Sequence, residues 1–304
     1  MTLEVKTLPG GVGVEVSGLS IDGPVDSDTA RALYQVWLDA GVVVFRGLGT
    51  SPEVQLALSR CFGELEPHPI ERLRLDGYPD LILLSNKNGL TGPVYYFDDV
   101  PIYGRIPWHT DLVYTTKPNA GAVLRMVQPT ETGGETGWID TAMAYDALDD
   151  DTKARIDGLE ARFRFIGDIG EMRFNHPGGV RRDDPPTQFP HFPDVAHPLV
   201  WVHPESGRKA LNVSTMNIHS VLGMESDEGD ALIQQLIDHA LKPEFQYIHQ
   251  WQADDMVLWD NRRTMHTAMG HPVDEIRIVH RSTIRGTIPM GRVIEETARA
   301  GEKA

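Results

Sequence analysis

Cysteine is almost absent from the 304-residue sequence, which contains only Cys61. A single cysteine cannot form a disulfide within the chain, and it cannot supply the sulfur ligands of a zinc or iron–sulfur site. The composition therefore fits a reducing compartment. Any metal centre here has to use nitrogen and oxygen ligands, and the twelve histidines make such a centre worth seeking.

Basic residues are scarce as well, since 28 lysines and arginines stand against 44 aspartates and glutamates, a formal net charge of −16. Binding to nucleic acid or to an anionic membrane needs a basic face, so neither partner is expected. No apolar run approaches the ~20 residues of a membrane helix, and the first residues do not resemble a signal peptide. We expect a cytoplasmic protein whose partner is a small molecule.

A regular alternation of strands and helices is also missing, as are internal repeats and any linker that would divide the chain. Many short apolar segments separated by turn residues predict an antiparallel sandwich instead. We predict a mainly β fold with flanking helices, a jelly roll in which residues 1–304 form one domain. Two segments without periodicity, about 86–107 and 167–198, are expected to be lids, and the second is alternatively an arm that contacts a partner subunit.

The segment Trp108–Thr115 carries the first chemical signal. It has the character of a strand, in which residues two apart share a face, so His109 and Asp111 present an imidazole and a carboxylate side by side. These are two of the three ligands in the 2-His-1-carboxylate site of non-haem iron. Because His-x-Asp also occurs by chance, the motif alone favours a strand that faces water.

A third ligand has to come from elsewhere in the chain. The best candidate is His266, which begins a strand after a polar turn. Spacing does not exclude the other histidines that stand in similar surroundings, which are His271, His280, His249, His219, His176, His191, His197 and His203.

Two arginines, Arg277 and Arg281, stand four residues apart in a predicted strand, Ile276–Ile284. They share one strand face and lie about 13 Å apart by strand rise. A guanidinium group suits bidentate binding of a carboxylate or a sulfonate. On this pattern alone, a solvated strand face with surface ion pairs is the favoured interpretation.

Together, these motifs resemble the taurine dioxygenase family of Fe(II)- and 2-oxoglutarate-dependent oxygenases. The matching residues are Trp108–Asp111, Gly133–Thr136, Leu258–Asn261, His266, Arg277 and Arg281. They occur in the family's order and spacing, and the resemblance extends from about Val14 to Thr287. It implies a double-stranded β-helix, the cupin-like form of the jelly roll, and it overrides the interpretations given to the separate motifs.

The resemblance implies a role for each matching residue. The iron ligands would be His109, Asp111 and His266. Thr136 and Arg277 would hold the distal carboxylate of 2-oxoglutarate, while Arg281 would bind the anionic head of the primary substrate. His68, within Phe62–Pro69, matches a histidine that contacts the sulfonate in taurine dioxygenases. The resemblance also favours a homodimer or homotetramer.

Two positions depart from the taurine dioxygenase pattern. Arg105 replaces an asparagine near the substrate amine, and Glu71 replaces an aromatic residue. Taurine is therefore not the expected substrate, and Arg105 becomes a candidate for substrate binding. Aromatic residues of the first lid, among them Tyr96, would suit a larger or more apolar tail.

The expected reaction uses Fe(II), 2-oxoglutarate and O2 to hydroxylate a small organic anion with a sulfonate, sulfate ester or carboxylate head group. It gives succinate and CO2, and a hydroxylated carbon that bears a heteroatom would collapse to an aldehyde or ketone. The alternative keeps the cofactors but oxidises a natural-product or aryloxyalkanoate carboxylate, by hydroxylation or desaturation. A cupin-type metal protein without oxygenase activity fits less well, because a 2-oxo diacid best explains Arg277 and Thr136.

Overall fold

The computed structural model describes residues 3–89, 92–182 and 191–294. The α-helices in these ranges are α1 (Ser27–Ala40), α2 (Pro52–Arg60), α3 (Thr141–Asp146), α4 (Asp150–Ile156) and α5 (Ser226–Ala240). Short 3-10 helices occupy Pro9–Gly11, Glu71–Leu73, Ile169–Glu171 and Pro243–Phe245. None of the helices in the described ranges has both the length and the apolar character needed to cross a membrane.

Strands make up most of the regular structure. In chain order they are β1 (Glu4–Thr7), β2 (Val14–Ser17), β3 (Val42–Phe45), β4 (Arg74–Leu75), β5 (Tyr78–Ser85), β6 (Val94–Phe97), β7 (Val100–Tyr103), β8 (Ile106–His109), β9 (Gly121–Gln128), β10 (Thr136–Asp140), β11 (Glu160–Phe163), β12 (Val180–Arg181), β13 (Val195–Pro198), β14 (Val200–Val202), β15 (Lys209–Leu211), β16 (Ile218–Val221), β17 (Gln246–His249), β18 (Met256–Asp260), β19 (Thr264–Ala268), β20 (His271–Pro272), β21 (Ile278–Ile284) and β22 (Arg292–Val293).

Two facing sheets form the centre of the molecule. The larger has the strand order β1-β2-β3-β18-β9-β21-β5-β4, and the smaller has the order β17-β10-β19-β8. Residues such as Val44, Leu124 and Val257 of the larger sheet pack against Trp138 and Tyr247 of the smaller one. Burial of these apolar faces against each other is what holds a β-sandwich together. The predicted mainly β jelly roll is confirmed.

Helices α1 and α2 cover the outer face of the larger sheet, where Leu33, Trp37 and Leu58 join a second apolar cluster. Helix α1 begins after Asp26, whose carboxylate accepts hydrogen bonds from the backbone of Asp28 and Thr29. The helix ends at Gly41, whose φ of 73° is in the left-handed region. Helix α5 packs on the opposite side, beside the smaller sheet. The helices therefore leave the space between the sheets to the strands.

The segment 86–107 contains regular structure that its sequence did not predict. Strands β6 and β7 form an antiparallel hairpin, and β12, from the second predicted lid, pairs with β6. The turn residues Asp98 and Asp99 have positive φ angles of 48° and 66°. Such angles are typical of a tight hairpin turn, but the usual glycine signal is absent here. Part of the second predicted lid, residues 183–190, lies outside the described residues.

Candidate active site

Three side chains that can bind a metal converge at one end of the smaller sheet. His109 on β8 and His266 on β19 are direct partners across the two strands, and their ring centroids are 4.1 Å apart. The Nε2 atoms of these histidines lie 3.6 Å and 3.8 Å from Oδ1 of Asp111. One potential ligand atom from each residue lies within 4.8 Å of the others. Two imidazoles and one carboxylate are the donor set typical of non-haem Fe(II).

Asp111 reaches this group by a turn and not by strand alternation. The strand predicted over Trp108–Thr115 ends at His109, so that part of the prediction is wrong. Asn261, which is fully buried, bonds both backbone polar groups of Asp111 at 2.9 Å. Leu112 follows with a φ of 54°, which reverses the chain. The turn between β18 and β19 thus both positions Asp111 and leads into the strand that carries His266.

A hydrogen bond at His109 and burial at His266 prepare the two imidazoles to bind a metal. Nδ1 of His109 lies 2.8 Å from the carbonyl oxygen of Pro107, to which it can donate, which leaves Nε2 free to bind a metal. Burial lowers the pKa of His266 well below its ordinary value, and the charge of His109 lowers it further. A neutral imidazole is the form that coordinates metal ions.

Arg281 sets the charge state of Asp111. Burial by itself would raise the pKa of the Asp111 carboxyl, but its interactions, first with the charge of Arg281 and then with the rings of His266 and His109, outweigh burial and hold that pKa well below its ordinary value. Nη2 of Arg281 lies 2.6 Å from Oδ2 of Asp111. The Arg281 Nε is buried and has no hydrogen-bond partner among the described residues. The carboxylate is therefore ionised, and the bonding capacity of the arginine is only partly used.

A cavity of about 290 Å³ is lined by two of the three ligands, His109 and His266. Its lining includes the polar residues His109, Thr136, His266, Arg105, Arg277 and Arg281, and the apolar residues Leu73, Leu83, Leu84, Pro93, Ile106 and Leu124. Three cationic side chains thus face a largely apolar space. Such a combination suits small organic anions.

Arg277 is a half-buried cation that has no anionic partner among the described residues. Its Nη2 donates to the carbonyl oxygen of Gly134 at 3.1 Å, whereas its Nε has no partner among the residues that the structure describes. Burial lowers the pKa of Arg277 to about 10, and only the charge of Glu135 opposes this effect. A Cβ atom at Gly134 would lie 3.3 Å from the Arg277 Nε, so glycine makes room for the guanidinium. A buried charge of this kind is costly unless a ligand neutralises it.

Thr136 lies on β10 in the wall of the same cavity. Its hydroxyl oxygen accepts a hydrogen bond of 3.0 Å from the indole nitrogen of Trp251. This contact orients the hydroxyl and leaves its hydrogen available for a ligand. The sequence indicated no role in the site for Trp251 or for Asn261, because a tryptophan after a strand and an asparagine in a turn are ordinary features of a fold.

The remaining predicted residues differ in where they lie. Arg105 lines the cavity. The pKa of His68 is lowered mainly by burial and also by the charge of Arg281, which indicates that these two side chains are near each other. Tyr96 is not among the lining residues. Its ring stacks under the guanidinium of Arg182, which lies 3.9 Å from the ring centroid, and Tyr103 of the next strand lines the cavity instead.

Fold and site together define a jelly-roll protein with a 2-His-1-carboxylate metal site and an adjoining pocket for anions. The family described as "Taurine catabolism dioxygenase TauD, TfdA family" matches residues 4–283, and the chain belongs to this family. The protein is an Fe(II)- and 2-oxoglutarate-dependent dioxygenase. The predicted reaction class and the cofactors Fe(II), 2-oxoglutarate and O2 are confirmed.

Individual relatives cover nearly the whole chain. The (S)-phenoxypropionate/alpha-ketoglutarate-dioxygenase of Sphingobium herbicidovorans is 32% identical over 293 residues, which cover 93% of this chain and 95% of the relative. A taurine dioxygenase from Burkholderia xenovorans has a crystal structure that matches with a TM-score of 0.76 and 29% identity, over 97% of this chain and 96% of the other. The crystal structure of AAD-2 in complex with Mn(II) and N-oxalylglycine matches with a TM-score of 0.73 and 28% identity, over 95% and 100% of the two chains.

Proposed function

We propose that the enzyme hydroxylates a small organic anion that has an apolar tail and a carboxylate, sulfonate or sulfate ester head group. The proposal depends mainly on one cavity. Its lining includes His109 and His266 of the metal-binding group and two arginines of a single strand region, Arg277 and Arg281. The apolar lining supports the apolar tail, and the arginines support two anions, the co-substrate and the substrate head.

The iron ligands in this proposal are His109, Asp111 and His266. Their donor set fits Fe(II), the contact with Pro107 leaves Nε2 of His109 free for a metal, and the lowered pKa of His266 favours its neutral, metal-binding form. When bound, the iron supplies the oxidative decarboxylation of 2-oxoglutarate to succinate and CO2 and the oxidation of the substrate C–H bond. The chain's own contribution is to place both organic molecules and to keep water away from them.

Arg277 and Thr136 are the residues assigned to the distal carboxylate of 2-oxoglutarate. The carboxylate would neutralise the buried guanidinium, and the Thr136 hydroxyl would donate a hydrogen bond to it. An ion pair in a desolvated pocket of this kind is specific as well as strong, because it requires both the charge and the bidentate geometry.

Arg281 and His68 are assigned to the head group of the primary substrate. Arg281 is beside the metal ligands, so an anion bound there places its nearest carbon next to the site of oxidation. The name of one relative specifies a carboxylate substrate, phenoxypropionate, and the name of another specifies taurine, a sulfonate. A carboxylate substrate of the aryloxyalkanoate type is therefore the first compound to test.

Further properties belong to the same proposal. The whole chain, residues 1–304, is one jelly-roll domain, and the described parts of the segments 86–107 and 167–198 act as lids of the active site. The presence of Tyr103 and Arg105 in the cavity wall and the pairing of β12 with β6 support this role for both segments. The enzyme works as a homodimer or homotetramer in the cytoplasm, and light scattering on the purified protein tests its oligomeric state.

The proposal is tested by supplying the purified enzyme with Fe(II), 2-oxoglutarate, O2 and one member of a panel. The panel contains an aryloxyalkanoate, an alkyl sulfonate and an alkyl sulfate ester, and succinate and the oxidised product are measured together. We expect at least one compound to raise succinate formation well above the rate without substrate, and His109→Ala to abolish this increase. If no compound in the panel raises the rate, the proposed substrate class is wrong.

A further inference from the structure

Arg105 is a third cation in the lining of the cavity. The roles proposed for the metal ligands and for Arg277 do not explain why a cation lies at this position. The residue precedes β8 and lies four positions before His109, so the two Cα atoms are about 13 Å apart by strand rise. Arg105 is half-buried in the cavity wall. Across residues 3–89, 92–182 and 191–294, no hydrogen bond or ion pair to its guanidinium is formed. Burial lowers the pKa of Arg105, and no neighbouring charge opposes the effect.

Two half-buried arginines outside the cavity, Arg46 and Arg162, show what distinguishes Arg105 and Arg277. Arg46 pairs with Glu15 at 3.0 Å and with Asp255 at 2.6 Å. Arg162 pairs with Asp194 at 2.9 Å. Those arginines have their anions within the chain, as the cost of burying a charge requires.

The segment that carries Arg105 lies close against the connection between β19 and β20. Gly270, after β19, has a φ of 78°, and a Cβ atom there would lie 3.2 Å from the Cβ of Arg105 and 2.4 Å from a methyl carbon of Ile102. Glycine at this position therefore allows the close approach that places Arg105 in the cavity wall. A half-buried guanidinium in a cavity wall, without an ion pair to the described residues, is suited to bind an anionic ligand.

We propose that Arg105 binds a second anionic group of the primary substrate, so that the preferred substrates are dianions. One charge lies at Arg281, beside the iron ligands, and the other lies at Arg105, in the wall of the same cavity. The apolar lining, which includes Leu83, Leu84 and Ile106, contacts the body between the two charges. The cavity of about 290 Å³ also has to hold 2-oxoglutarate, so this body is small, about one aromatic ring. The inference rests on the proposed function and narrows its substrate class.

The test compares two compounds that differ only in the second charge, phenoxyacetate and 4-carboxyphenoxyacetate. For each protein the ratio of kcat/KM values, dianion over monoanion, is measured with saturating 2-oxoglutarate. We expect the wild-type ratio to be about tenfold or more, because a charge-assisted hydrogen bond contributes that much to binding. Arg105→Met should reduce the ratio to about one, and Arg105→Lys should retain part of it. The control Arg31→Met, at an exposed position of α1, should keep the wild-type ratio.

Three results would overturn the inference. The first is a wild-type ratio near or below one, which leaves the proposed function intact as long as either compound yields succinate. The second is an unchanged ratio in Arg105→Met together with a raised KM for 2-oxoglutarate, which would assign Arg105 to the co-substrate. The third result concerns binding, and it is needed if neither compound yields succinate. That failure by itself counts against the proposed substrate class. In that case calorimetric Kd values for both compounds, measured on the Mn(II)- and 2-oxoglutarate-loaded protein, replace the kinetic ratio, and equal values in the wild type reject the role of Arg105.

Discussion

Arg277 and Arg281 belong to the same strand region, four residues apart, yet their surroundings give them different chemistry. Arg281 is paired with Asp111 and helps to keep that carboxylate ionised. The guanidinium of Arg277 donates to the backbone carbonyl of Gly134, and the described part of the chain offers it no ion pair. The difference teaches that residue type and spacing do not define an anion site. A guanidinium becomes one when it keeps bonding capacity for a ligand, as Arg281 does in part beside Asp111 and as Arg277 does with no ion pair to the described residues.

The largest effect is expected from removing the partner of Arg281. Asp111→Ala deletes a metal ligand and leaves Arg281 without its carboxylate, so both iron binding and succinate formation should fall to background. Metal analysis of the purified variant and a succinate assay measure the two losses. A variant that keeps its iron and its turnover would remove Asp111 from the ligand set.

Arg277→Met should raise the KM for 2-oxoglutarate about a hundredfold, because it removes a buried charge that the co-substrate neutralises. The same variant should have a higher Tm than the wild type when 2-oxoglutarate is absent, since an uncompensated buried charge is gone. The increase in Tm that 2-oxoglutarate causes in the wild type should disappear. An unchanged KM for 2-oxoglutarate would show that the co-substrate binds elsewhere.

Arg281→Met should instead weaken binding of the primary substrate, and the KM for that substrate should rise about tenfold or more. It should also change the pH dependence of iron binding. Arg281 lowers the pKa of Asp111, so its loss raises that pKa, and protonation should displace iron at a higher pH than in the wild type. Iron titrations over a series of acidic pH values measure this shift. If Arg281→Met weakens 2-oxoglutarate and spares the substrate, the roles of the two arginines are exchanged.

The smallest effect is expected from Trp251→Phe, which removes the hydrogen bond to Thr136 but keeps an aromatic ring. One neutral hydrogen bond is worth about 1 kcal/mol, so the KM for 2-oxoglutarate should rise about fivefold. In a Thr136→Val background the same substitution should have almost no further effect on KM, because the hydroxyl that it positions is already absent. Additive effects of the two substitutions would mean that Trp251 acts on something other than Thr136.

Much of the site was predictable because the ligands follow short motifs. His109, His266 and the two arginines were identified from the order of their motifs, and the structure places all four in one cavity wall. The contacts that position them come from distant parts of the chain. Asn261 is 150 residues from Asp111 along the sequence, and a single asparagine in a turn carries no pattern that reveals the contact.

The first predicted lid, residues 86–107, shows a different limit of prediction from sequence. Its aromatic residues were predicted to serve the substrate, but the sequence could not say which ring lines the cavity. Tyr96 packs with Arg182, and Tyr103 lines the cavity, because the hairpin pairs β6 with both β7 and β12. Strand pairing of this kind depends on long-range contacts that leave no local signal.

The sequence by itself determined the mainly β fold, the absence of cysteine-based metal chemistry, and the set of imidazoles, carboxylate and guanidinium groups from which the site is built. These properties depend on composition, strand patterns and short motifs, which are local. The tertiary structure alone decided that Arg281 is neutralised by Asp111, while Arg277 and Arg105 face the cavity with no ion pair to the described residues. The physical reason is that a charge is defined by its partners and its burial, and both depend on which distant strands meet.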